Sequence, residues 1–319
     1  TYTAGGVAKS VEIPVTVKAP TYNLGFLADP TADELPADAI PISSQGELAA
    51  LDQSDTAGKT YYLTRDIQLT GEWSPIYGFQ GTLDGRGHKV SGLYISSASK
   101  EQLAALFASA YDAVIRNLAV EIAPGGVSAY DDTAGGDEAY AAGLVGHSNN
   151  TNYINCYTTG GPVSASGMAP YAGGLVGYLM NQPENQVTNC FSNCEVSSKS
   201  TQATTSNTCM AGGLIGELES GDGYQATAIS RCYATGNISL SYPGGSSGRA
   251  GTQAGGLLGG GSRLEVRDCF ALGDVTVRKS TASKRSSLFA GGLGGWLSES
   301  SLERCYATGF VSGGYGSHV

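Results

Sequence analysis

Apolar positions in this chain are gathered into short stations separated by polar, glycine-rich gaps of elastic length. One phrase opens a unit five times: Ala142-Gly143-Leu144-Val145-Gly146, Ala172-Gly173-Gly174-Leu175-Val176-Gly177, Ala211-Gly212-Gly213-Leu214-Ile215-Gly216, Ala254-Gly255-Gly256-Leu257-Leu258-Gly259 and Ala290-Gly291-Gly292-Leu293-Gly294-Gly295. A cysteine-aromatic pair follows each: Cys156-Tyr157, Cys190-Phe191, Cys232-Tyr233, Cys269-Phe270 and Cys305-Tyr306. The leucine-to-cysteine distances are 12, 15, 18, 12 and 12 residues. A β-branched residue then returns six or seven places on, at Val163, Val196, Ile238, Val275 and Val311. Stations that hold while gaps vary are what stacked rungs produce, and a period of 31 to 43 residues is that of a solenoid or propeller.

The stations are short, β-branched or aromatic, and bounded by Gly, Asn, Asp and Ser, which predicts strands and disfavours helical repeats in a chain with 47 glycines. A propeller blade needs four antiparallel strands with hairpin turns, and regular Asn-Gly signals are absent. The expectation is therefore an all-β parallel β-helix with three strands per rung. Stacking places like residues about 4.8 Å apart along the axis, so that neighbouring rungs complete each other's core. Leu106-Phe107 and Leu118 extend the pattern upstream to a sixth rung, and residues 61–69 and 79–95 alternate like one or two more, making about eight in all.

An open solenoid end needs a lid. Ser44 with Glu47 three residues later is a capping-box signature, and Leu48 and Leu51 share a helical face, predicting a short helix that plugs the first rung. Residues 1–20 read as the terminal strand of a preceding immunoglobulin-like domain or as a linker, with Pro14 marking residues 11–20 as an edge strand. Residues 21–43 read as a proline-rich acidic connector, and 44–319 as the cap and β-helix. No cap is visible at the other end, and there is no initiator methionine, so the chain reads as a mature or excised piece with neighbouring domains.

Five of the seven cysteines fall in one repeat slot and are expected to form a column of buried thiols. Cys194 and Cys209 lie outside it and are the one candidate disulfide pair. The residue before the slot is Asn117, Asn155, Asn189 or Asp268 in four rungs and Arg231 or Arg304 in two. The apolar station two residues earlier still (Ile115, Val187, Ile229, Val266, Leu302) would face away from the core in a straight strand. The strand must bend between them, and Asn or Asp tolerates the left-handed backbone such a bend requires.

A net charge of -10 argues against nucleic acid, and the only basic run is Arg278, Lys279, Lys284 and Arg285. No stretch of 18 apolar residues exists to span a membrane. Few charges with many Ser, Thr, Asn, Tyr and Gly suit an extracellular bacterial surface protein.

The unit Ala-Gly-Gly-Leu-Val-Gly followed by Ile-x-x-Cys-Tyr-Ala-Thr-Gly-x-Ile/Val, as in 229–238 and 302–311, resembles the GLUG repeat of bacterial surface proteins. The resemblance covers about residues 41–319. It implies a right-handed parallel β-helix in a secreted or wall-attached protein. Such repeats occur in adhesin-like proteins and, outside the catalytic domain, in some immunoglobulin A-cleaving metallopeptidases.

Catalytic motifs fail individually. His88, His147 and His318 lack the glutamate and helical spacing of a zinc peptidase. Gly244-Gly245-Ser246-Ser247-Gly248 matches a nucleophile-elbow string without the strand and helix it needs. Asp131-Asp132 with Gly87-His88 superficially resembles pectin-degrading β-helices, in reversed order. Two binding signals remain. Asp131, Asp132, Asp137 and Glu138 form an acidic loop that could hold Ca²⁺, without rigid ligand spacing. Among the 18 tyrosines, Tyr130, Tyr140, Tyr153, Tyr171, Tyr178, Tyr224 and Tyr242 fall in or near loops, where tyrosine serves recognition of a glycan or host protein. The expected function is a non-enzymatic adhesin-like or spacer module without cofactors. Alternatives are an accessory region of a large secreted metallopeptidase, or a carbohydrate-active β-helix enzyme, polysaccharide lyase or glycosidase, recognisable by a groove that gathers carboxylates with a basic residue.

Overall fold

A computed structural model describes residues 2–4, 7–9, 25–131, 138–181, 185–201, 208–220, 226–243, 251–279, 288–313 and 317–318. The expected edge strand over 11–20, the Gly244–Gly248 string, Lys284 and Arg285 lie outside them. Strands Tyr2–Ala4 and Val7–Lys9 pair antiparallel. All other pairing among the described residues is parallel and runs rung to rung, in sheets of nine, thirteen, seven and six strands, which is a parallel β-helix. The nine-stranded sheet counts nine levels, and the thirteen-stranded sheet eight.

A full rung holds five strand segments where the stations suggest three. In one rung these are Ala169–Gly173, Val176–Asn181, Gln186–Thr188, Phe191–Ser192 and Val196–Ser200. The repeated phrase is thus not a strand but a corner joining the seven-stranded sheet to the six-stranded one. Its glycines follow from crowding there. A Cβ on Gly173 would overlap the carbonyl of Val176 across the corner, one on Gly174 the carbonyl of Gly213 in the next rung, and one on Gly177 the carbonyl of Gly146 in the rung before. Leu144, Leu175, Leu214 and Leu257 point inward from the corner and are fully buried.

The bend before the cysteine slot is present in all six rungs. Asn117, Asn155, Asn189, Arg231, Asp268 and Arg304 have φ between 52° and 56°. Both flanking stations then face the core: Ile115, Tyr153, Val187, Ile229 and Val266 stack in register and are buried, as are Leu118, Cys156, Cys190, Cys232 and Cys269. Each slot thiol donates to the carbonyl two residues back and to the inner-station carbonyl of the preceding rung, as Cys190 Sγ does to Thr188 (3.3 Å) and Tyr153 (3.5 Å). A small side chain with a weak donor fits this bend. Cys194 and Cys209 are free thiols, correcting the candidate disulfide. Cys209 lies 3.3 Å from Ser198 Oγ, and burial pushes it up to about 12 and Cys194 up to about 11, so neither ionises readily. The aromatic residue after the slot points outward and stacks: Tyr157, Phe191, Tyr233, Phe270 and Tyr306 have centroids 4.6–5.2 Å apart and planes within 11°.

The lid forms as the capping box predicts. Helix Gln45–Ala49 starts at Ser44, whose Oγ accepts from Glu47 N, while Glu47 reaches back to Ser43 N at 2.6 Å. Leu48 and Leu51 are buried in the core with Ile42, Leu63 and Phe79. The connector behaves differently from a linker. Its residues 26–33 lie along the outer asparagine column. Asn117 Nδ2 donates to Asp84, Asn155 Nδ2 donates to Asn117, and Asn155 Oδ1 accepts from the backbone N–H groups of Leu27 (3.0 Å) and Ala28 (3.1 Å). Phe26 packs edge-on against Tyr157 at 5.0 Å, ending the aromatic stack, and Arg116 pairs with both Asp33 (2.6 Å) and the buried Asp84 (3.0 Å).

Candidate functional site

Outward side chains from the two strands flanking the phrase corner meet each other, so the corner is a groove on the outer surface. Counting from the phrase leucine, the position four before it is Tyr140, Tyr171, Met210, Gln253 and Phe289 on successive rungs, in register along the seven-stranded sheet. The position three after it is His147, Tyr178, Glu217, Gly260 and Trp296 along the six-stranded sheet. Tyr140, Tyr171 and Met210 form an apolar cluster separate from the core, with Leu103, Ala169 and Tyr178 packed on it. Tyr140 and Tyr171 stack at 5.0 Å, His147 and Tyr178 at 5.3 Å with planes 8° apart, and Tyr140 meets His147 edge-on at 5.2 Å. The motif persists at the far rung, where Phe289 and Trp296 meet at 4.6 Å. Such aromatic pairs are stabilising beyond their area by about 1 kcal/mol each.

Three carboxylates rim this cluster. Tyr140 OH donates to Glu138, and Tyr178 OH donates to Glu219 at 3.0 Å. Glu217, half-buried against the aromatic wall, is pushed up to about 8 by burial and by the like charges of Glu219 and Glu138. At neutral pH it is a carboxylic acid able to donate a hydrogen bond. Burial holds His147 below its ordinary value, partly opposed by Glu138, so it is a neutral ring. Burial and then Glu219 push Tyr178 upward, and burial does the same to Tyr171. The groove therefore combines the half-buried rings of His147 and Tyr178, backed by the buried Tyr140 and Tyr171, with a neutral acid donor and the carboxylates of Glu138 and Glu219, a combination suited to polyhydroxylated ligands. No Lys or Arg occupies either groove column.

The sequence-selected residues are divided by the structure. Tyr140, Tyr171 and Tyr178 come together here. Tyr153 and Tyr242 do not: both are fully buried, Tyr153 because it fills the inner station three residues before Cys156, and Tyr242 because it lies four residues after Ile238 on the inward parity. They are core residues, not contact residues. Tyr130 is half-buried with Lys100 6.0 Å from its ring, and Tyr224 lies outside the described residues. Asp131 is buried while Glu138 is exposed and holds Tyr140, and Asp132 and Asp137 are not among the described residues. Among the described residues no group of three or more metal-ligating side chains assembles. His88 pairs with Asp66 at 3.2 Å. Met210, His147, Glu217 and Glu219 were not selected by sequence. Aligning the rungs on the phrase leucine finds the first three.

No protein-family model matches the chain. Among curated proteins it is similar to Halomucin of Haloquadratum walsbyi, with 28% identity over 192 residues, covering 59% of this chain and 2% of Halomucin. Thus the chain spans only a small part of that relative's length. Among solved structures it is similar to a crystal structure provisionally named an immunoglobulin A1 protease from Bacteroides ovatus, with a TM-score of 0.53 and 18% identity over 92% of this chain and 87% of that one. A structure named IgA1 Protease aligns with 87% of this chain and 20% of its own at 14% identity and a TM-score of 0.48. The Bacteroides likeness, at this identity, is one of fold.

Proposed function

We propose that this chain is a non-enzymatic, extracellular β-helix module of a bacterial surface or secreted protein, adhesin-like in role, that binds a glycan or host protein along its phrase-corner groove. The observation that carries the reading is the convergence of Tyr140, Tyr171, His147 and Tyr178 on one outer corner, rimmed by Glu138, Glu217 and Glu219. This apolar cluster lies apart from the main core, and the half-buried rings of His147 and Tyr178 over the buried Tyr140, Tyr171 and Met210 offer ring faces for recognition. A place beside a secreted peptidase or within a larger surface protein fits the names of the two relatives, and the resemblance to GLUG repeats fits both. A glycan array probed with the wild-type chain and with Tyr178→Ala tests it. Retained ligands that the variant loses support the reading; ligands bound equally by both, or none, refute it.

A second reading is favoured by Glu217. Glu217, held neutral by burial, and Glu219, two residues on along the same strand, supply the two carboxyl groups that glycoside hydrolysis uses. Release of reducing ends from an array ligand, abolished in Glu217→Gln, would support it; intact ligand after prolonged incubation would leave binding alone.

A further inference from the structure

On a different wall, the thirteen-stranded sheet carries an open cleft of about 580 Å³, lined chiefly by Ser197, Lys199, Asn237, Ser239, Thr276 and Arg278. Two columns build it. The residue after each β-branched station is a hydroxyl in six successive rungs, Ser128, Ser164, Ser197, Ser239, Thr276 and Ser312, held in register by strand pairing. Two residues further on, the outward column reads Tyr130, Ser166, Lys199, Ser241 and Arg278. Lys199 and Arg278 are exposed, and among the described residues neither joins an ion pair, although the chain as a whole carries a net charge of -10. They stand two rungs apart, about 9.5 Å along the axis at parallel-strand spacing, with Ser241 between them. Asp274 also lines the cleft, and its Oδ1 accepts from Phe310 N at 2.8 Å.

We propose that this cleft binds a linear acidic polysaccharide, lying along the solenoid axis with carboxylates on alternate sugars at Lys199 and Arg278 and its hydroxyls on the serine column. The chemistry favours this polymer over other polyanions. An acidic peptide docks by pairing with a free strand edge or by filling apolar pockets, and the strands at this cleft are paired on both sides. Nucleic acid needs more cations and stacking platforms than two isolated side chains offer. A hydroxyl at every rung instead gives a repeating donor and acceptor to a repeating polyol. The cleft is separate from the corner groove, so this inference stands or falls independently of the function proposed above.

Fluorescence anisotropy with end-labelled oligogalacturonate, malto-oligosaccharide of equal length, polyglutamate and a single-stranded oligonucleotide tests it. The wild-type chain binds oligogalacturonate, more weakly as salt rises, and Lys199→Gln with Arg278→Gln weakens binding roughly tenfold or more. Arg267→Gln, at an ion-paired arginine outside the cleft, leaves it unchanged, and thermal melts report that each variant folds. Absence of oligogalacturonate binding, equal binding by the double variant, or equal affinity for malto-oligosaccharide, polyglutamate or the oligonucleotide would overturn the proposal.

Discussion

Asn155 shows how much one position can carry. Its left-handed backbone (φ 56°) turns the strand, its Nδ2 extends the ladder through Asn117 to Asp84, and its Oδ1 holds the connector's N–H groups. The two roles separate by substitution. Asn155→Gly keeps the backbone conformation and loses the ladder; Asn155→Ala loses both and costs about 1 kcal/mol more. Urea unfolding of the pair gives that difference, and equal stabilities would deny the strain argument. Glu217 makes the other residue-scale prediction. Its folded pKa of about 8 exceeds the ordinary 4.5, so the stability it lends as a neutral acid is full below pH 4.5 and is lost as pH rises through 8. Glu217→Gln should therefore gain on wild type by about 4 kcal/mol between pH 5 and pH 9. Parallel pH profiles in thermal melts would contradict the burial argument.

Among elements, the phrase corner and the connector were the least legible in sequence. The apolar stations announced the parallel stack because each must reach the core at every rung. The phrase did not announce a corner, since Gly-rich text serves a tight turn and a closely packed strand alike. Crowding at the corner is the physical distinction: a methyl on Gly213 would overlap Gly256 O and lie 2.6 Å from Ala234 Cβ. Gly213→Ala should lose about 3 kcal/mol in urea unfolding, and a neutral result would mean the corner is looser than described. Residues 26–33 have no period to read, only prolines and acids, and their docking depends on Asn155, Arg116 and Tyr157 more than eighty positions away. Tyrosine, too, was read by its neighbours in sequence instead of its register, which is why Tyr153 and Tyr242 looked like contacts, Met210 went unnoticed and His147 was weighed only as a zinc ligand.

At the scale of the molecule, stacking uses the inward positions almost uniformly: leucine at the corner, an apolar station, a thiol and a β-branched residue recur while the outside varies. Inward repetition gives the rod its stability through neighbour contacts. Outward positions in register become columns, and columns of differing chemistry give each wall its own character: aromatic and acidic at the corner, stacked rings beside the asparagine column, hydroxyl and basic on the broad sheet. On the function proposed above, specificity resides in these walls and not in the loops between rungs. Hydrogen–deuterium exchange with a ligand retained from the glycan array tests this most directly. Protection concentrated in Val145–Asn149, Val176–Asn181 and Ile215–Ser220 is the predicted result. Protection confined to the loops joining the rungs, with those strands unchanged, would contradict it.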